Sequence, residues 1–96
     1  MIDIQELFDK HNDDEHLKFD RVEPKLHSMS DICAFLLLDK LLPGKGYMIG
    51  AGAHDIIYLN VDVEELAEVA TEDDIIMLIR CGVHYDSETD CLAMFV

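Results

Sequence analysis

Apolar residues near the start of the chain recur at intervals of three and four. Ile4, Leu7, Phe8 and His11 share one helical face, predicting a short helix over residues 4–11, with Asp3 and Glu6 as its start signal. The polar run Asn12 to Glu15 breaks this pattern. Over residues 16–27, Phe19 and Val22 sit one helical turn apart, but Pro24 interrupts any regular element, and the pattern assigns no structure there. Ser28 and Asp31 then read as a capping box for a helix running to about Leu42, where Pro43-Gly44 stop it. Ile32, Cys33, Phe35, Leu36, Leu37 and Leu38 make this helix apolar nearly all round. It is therefore expected to be the central core helix, with Leu36 inside the core.

The second half changes period. Residues 55–61 form the clearest strand, residues 47–49 are expected to pair with it, and the intervening glycines to supply the turn. Asp62 and Glu65 open a short helix over 63–70, with Val61 placed to pack on Leu66. Thr71 and Asp74 open another at once, which ends with Arg80 in its last turn and Gly82 as a left-handed stop. Val83 to Tyr85 and Cys91 to Phe95 read as a hairpin across Asp86-Ser87-Glu88-Thr89-Asp90. The predicted fold is α+β: a small antiparallel sheet of about four strands packed with about four short helices, in a single domain over residues 1–96.

Charge changes the picture more than composition does. The chain holds 21 acids and seven bases, for a net charge of −14. Residues 1–48 carry ten acids and six bases, whereas residues 49–96 carry eleven acids and one base, Arg80. Such a field repels phosphate backbones and anionic membranes and favours encounter with basic partners. Three cysteines, Cys33, Cys81 and Cys91, are a poor disulfide framework and read as free thiols in a reducing compartment. The N-terminus lacks the basic and apolar regions of a signal peptide, and the longest apolar run, Ile32 to Leu38, is far shorter than the ~20 residues a bilayer span needs. A cytoplasmic protein is expected.

Motifs that would carry chemistry fall short of their physical requirements. Gly44-Lys45-Gly46 and Gly50-Ala51-Gly52 lie between a helix and a strand without the Gly-Lys-Ser/Thr ending of a phosphate loop, so they read as turn glycines. Cys81, His84 and Cys91 offer metal-ligand atoms but no Cys-x-x-Cys pair, and Asp86, Glu88 and Asp90 lack the closing glycine and glutamate of a calcium loop. A cysteine with His54 or His84 as base is the only nucleophile arrangement, and nothing in the sequence positions an oxyanion hole for it. No catalytic residue, metal or cofactor is expected.

From Val63 to Phe95, two adjoining helices and a hairpin resemble the helix-turn-helix and wing of winged-helix domains. The resemblance implies a DNA-reading second helix, but this one begins Glu72-Asp73-Asp74, and the hairpin tip adds Asp86, Glu88 and Asp90. Direct nucleic-acid binding is not expected from six carboxylates facing phosphates. The phrase Arg80-Cys81-Gly82-Val83-His84-Tyr85-Asp86, closing on Leu92-Ala93-Met94-Phe95-Val96, resembles small acidic proteins of phages and mobile elements. That resemblance implies an accessory protein that binds a host protein, including mimicry of nucleic acid. The expected function is a non-enzymatic protein-interaction domain with a basic protein partner and no direct nucleic-acid or membrane binding. The alternatives are a nucleic-acid mimic and a small thiol- or metal-dependent enzyme. The expected partner-binding residues are Glu64, Glu65, Glu68, Glu72, Asp73, Asp74, Asp86, Glu88 and Asp90. The oligomeric state stays open, with a homodimer among the alternatives.

Overall fold

The computed structural model describes residues 1–44 and 46–95. Lys45, within the glycine-rich segment, and Val96, the last residue of the C-terminal phrase, lie outside the described residues. Helices α1 (Ile4–Glu15), α2 (Ser30–Leu41), α3 (Val63–Val69) and α4 (Glu72–Arg80) pack with strands β1 (Ile49–Gly52), β2 (Ile56–Leu59), β3 (Val83–Asp86) and β4 (Cys91–Phe95). A 3-10 turn, Phe19–Arg21, joins α1 to α2. The four strands form one antiparallel sheet in the order β1-β2-β4-β3. Over the described residues, the fold is α+β with a small sheet and four helices.

Local signals explain several boundaries. Asp3 caps α1 by accepting from Glu6 N–H, and Asp62 caps α3 by accepting from Glu64 and Glu65 N–H. Thr71 and Asp74 bond reciprocally as a capping box at the start of α4. Gly82 ends α4 with φ +99, a conformation that side chains disfavour, and the γ-branch of Leu17 lies close against it.

Other boundaries depart from the pattern. α1 continues to Glu15, because its polar last turn is held from outside by Arg80. α2 begins one residue later than expected: Met29 is its cap residue, Ser28 makes no cap, and the Asp31 carboxylate accepts from the Ile32 N–H. Gly50 and Gly52 lie inside β1, and the turn falls at residues 53–55.

The core is centred on α4 rather than on α2. Ile75, Leu78 and Ile79 of α4 are fully buried, and of its nine residues only Asp73 is exposed. α2 buries Cys33, Ala34, Leu37 and Leu38 but leaves Leu36 42% exposed, so Leu36 is not a core residue. Hydropathy identifies an apolar helix, but packing decides which of its faces meets the protein. Val22, from the segment without a predicted element, is buried in the same core.

The two faces of the sheet differ. Cross-strand pairing places Ile57, Met94 and Val83 on one face, with Leu59, Leu92 and Tyr85. Those residues belong to the core or pack against it. Ala51, Tyr58, Ala93 and His84 share the opposite face with Ile56 and Phe95. Of these, Phe95 is 63% exposed. The helices pack mainly on one side of the sheet; on the other, Ala93 is fully buried, His84 meets His16 at the end of α1, and Ala51 and Phe95 are exposed.

Candidate functional site: an acidic groove

The acidic residues of the second half separate into two groups once folded. Glu72 is half-buried at the start of α4 and faces α1, where Lys10 Nζ lies 3.3 Å and His11 Nε2 lies 2.6 Å from its Oε2. The hydrogen bond from His11, helped by Lys10, lowers the Glu72 pKa. Asp74 is occupied by the capping box, and Asp86 accepts from the backbone of Glu88. These carboxylates do structural work. Asp73 and Glu88 are exposed on separate elements, and Glu65 lies on the outer side of α3.

Arg80 is equally committed. Its Nε donates to Glu15 at 2.5 Å and its Nη1 to the Arg21 carbonyl, tying the end of α4 to α1 and to the connecting turn. The Glu15 pKa is lowered by this bond from Arg80, against a partial opposing effect of burial. The only base of residues 49–96 is thus turned inward, toward an acid of the first half.

The second group borders a groove. Residues 1–5 at the start of α1, the α3 residues Val63, Glu64, Ala67 and Glu68, and Tyr85 and Asp90 of the hairpin enclose about 500 Å³. The groove is fixed locally by a backbone bond from Ile2 N–H to the Ala67 carbonyl. Ile2, Val63, Ala67 and Tyr85 provide an apolar lining, while Asp3, Glu64, Glu68 and Asp90 provide carboxylates. Among the described residues, its lining includes no Lys, Arg or His side chain. The Tyr85 hydroxyl donates to Asp90, which raises the Tyr85 pKa to about 12 and keeps the phenol neutral.

Of the nine residues expected to bind a partner, the fold brings Glu64, Glu68 and Asp90 to this groove. Asp3 belongs with them although it is not among the expected residues, because it lies outside the acidic half, residues 49–96, that net charge singles out. Its position depends on α1 packing against α3, which no local pattern announces.

The residues considered for catalysis or metal ligation are dispersed. Cys81 is buried beside Cys33, and burial first, then the neighbouring thiol, pushes its pKa up to about 12. Cys91 pairs with Asp86 at the far end of the hairpin, next to the Thr89 hydroxyl. His84 lies on the sheet face away from the main core, stacked on Phe95 with centroids 4.6 Å apart and edge-on to His16 at 6.3 Å. Burial, and secondarily the nearby His16, lower its pKa, with Asp86 opposing. Among the described residues, no three His, Cys, Asp or Glu side chains converge as metal ligands do. None of the described helices is long and apolar enough to cross a membrane.

Comparison of the chain with protein-family models, with curated proteins and with solved structures finds no match. The geometry of the groove therefore carries the functional reading.

Proposed function

We propose that this protein is a non-enzymatic interaction domain that holds a basic segment of a protein partner in the groove between α1, α3 and the β3–β4 hairpin. The observation that carries this reading is the lining: four carboxylates around an apolar floor, Glu64 and Glu68 together with Asp3 and Asp90, which also cap α1 and hold the Tyr85 hydroxyl, and no cationic side chain among the described residues that line it. Carboxylates in that arrangement steer a cationic segment to the groove, and the apolar floor covers the methylene stems of its Lys or Arg residues. Burial cannot be the purpose of these acids, since Asp3, Glu64, Glu68 and Asp90 are all exposed. α4, the counterpart of a DNA-reading helix in the winged-helix comparison, has one exposed residue, and that residue is Asp73. This favours a protein partner over a duplex.

The test uses a fluorescein-labelled Lys/Arg-rich peptide as probe, with fluorescence anisotropy as readout. Glu64→Lys with Glu68→Lys should weaken binding ~10-fold or more and flatten its salt dependence. The control reverses two exposed acids outside the groove, Asp14→Lys with Asp39→Lys, giving the same net charge. Equal losses in both variants would show that bulk charge, not the groove, binds the peptide.

A further inference from the structure

Because α1 runs on to Glu15, it carries a polar stripe that the broken sequence pattern hides. Asp9, Asn12, Asp13 and the C-cap residue His16 stand at i, i+3, i+4 and i+7, on one side of the helix. Across from them is His84 of β3, whose ring meets that of His16 edge-on at 6.3 Å. Between them lies a hollow of about 450 Å³, walled on its other sides by Phe8, Tyr85 and Phe95. Among the described residues, no Lys or Arg side chain lines it.

Polar groups without partners gather here. Asn12 Oδ1, His16 Nδ1 and His84 Nδ1 are shut from solvent and make no hydrogen bond, and among the described residues they are the only side-chain atoms in that condition. All three residues line the one hollow. Buried polar groups are almost always satisfied in folded proteins, so a cluster of exceptions calls for a ligand that donates to them. The Asp9 and Asp13 carboxylates are exposed at the same hollow and are engaged by no side chain among the described residues. The His84 ring, stacked on Phe95 with centroids 4.6 Å apart, adds a flat aromatic wall.

We infer that this hollow takes an arginine side chain, supplied by the same basic segment that the neighbouring groove holds. The inference rests on that reading of the groove and adds a specificity to it. A guanidinium carries only N–H donors, which suits a site whose free groups are carboxylate oxygens, an amide oxygen and, with the ring hydrogens on Nε2, imidazole Nδ1 atoms. The terminal torsions of Asn and His are broad, so rotations of Asn12, His16 and His84 turn their buried acceptors toward the hollow. Burial lowers the His84 pKa and so keeps that ring neutral and able to accept. The flat guanidinium also stacks on an aromatic face, which a lysine ammonium does not. Asp9 and Asp13 repel an anion. Tyr85 lines both the groove and the hollow, so one ligand can run from one to the other. Asp3 in the groove and Asp13 at the hollow are ~15 Å apart along α1, at ~1.5 Å per residue. An extended segment covers that distance in about four or five residues.

The test uses fluorescein-labelled oligolysine with a single arginine walked along it, read by fluorescence anisotropy. At one place in the walk the wild type should bind the arginine peptide ~10-fold more tightly than the all-lysine peptide. Asp9→Asn with Asp13→Asn should remove that preference while weakening the all-lysine peptide ~5-fold or less. Glu64→Lys with Glu68→Lys should weaken every peptide and keep the preference. A preference equal at all positions, or one that survives the Asp9 and Asp13 substitutions, would overturn the inference. A second measurement needs no peptide: N-acetyl-arginine amide, at roughly millimolar concentration, should shift the NMR resonances of the His16 and His84 rings more than its lysine counterpart does. Peptide binding with neither arginine preference nor these shifts would overturn the hollow and leave the groove. Shifts without any peptide binding would overturn the shared segment together with the groove. A small probe that binds as tightly as the best peptide would make the occupant a free guanidinium compound and overturn its assignment to the segment.

Discussion

Truncating one leucine in α4 and one in α2 separates the two positions where the core could lie. Leu78 of α4 is fully buried, and Leu36 of α2 is 42% exposed. Leucine to alanine removes three carbon groups, worth ~2.4 kcal/mol of transfer free energy at ~0.8 kcal/mol each. At Leu78 the whole of this is lost and a cavity remains, because the cluster it belongs to, with Ile75, Ile79 and Leu92 among its members, is itself fully buried and cannot collapse far. The expected cost of Leu78→Ala is about 3–5 kcal/mol. At Leu36 little more than half of the transfer term applies, no closed cavity forms, and alanine is the better helix former, so the expected cost is about 1 kcal/mol. Urea denaturation followed by circular dichroism measures both, and the slope against denaturant should match that of wild type. In thermal melts the ~2–4 kcal/mol difference separates the variants by more than ~8 °C, at about 4–8 °C per kcal/mol for a domain of this size. A loss at Leu36 equal to or greater than that at Leu78 would refute an α4-centred core and restore α2 to the centre.

Gly82→Ala should destabilise by more than ~1 kcal/mol, since φ is +99 there and an added Cβ would lie 2.9 Å from Leu17 Cδ2. Urea denaturation of this variant showing no loss would mean the α4–β3 junction is otherwise arranged. Stability should also fall on mild acidification because of His84. Its pKa is lowered on folding, so the unfolded chain takes the proton first. The contribution is complete above the ordinary value of 6.5 and is lost as pH falls from there to the depressed folded value. His84→Phe keeps a ring against Phe95 and should flatten the stability–pH slope in that window. An unchanged slope would exclude His84 as its source. Glu15 and Glu72, whose pKa values are also lowered, act in a separate window, with stability lost as pH falls below 4.5.

Much of the secondary structure was legible because its signals are local. The Asp62 cap, the Thr71–Asp74 box and the Gly82 stop each act within a few residues, through backbone groups that are unsatisfied wherever a helix ends. The α+β class followed from the alternation of those elements. The candidate site was legible only in part. Net charge is additive and can be read from the chain, which drew attention to Glu64, Glu68 and Asp90, but whether a carboxylate is free or engaged depends on what the fold brings to it. Glu72 is met by Lys10 and His11 from 61 residues away or more, and Asp3 joins the groove from the other end of the chain.

By itself, then, the sequence determined the helices whose ends it marks, the number of strands, and the excess of negative charge. Tertiary structure alone decided that α4 rather than α2 occupies the centre, that Arg80 turns inward to Glu15, and that Asp3 joins Glu64, Glu68 and Asp90 around one groove. The reason is physical: capping bonds and helical or strand periods are satisfied over a few residues, whereas burial and ion pairing are properties of surfaces that exist only after distant segments have packed.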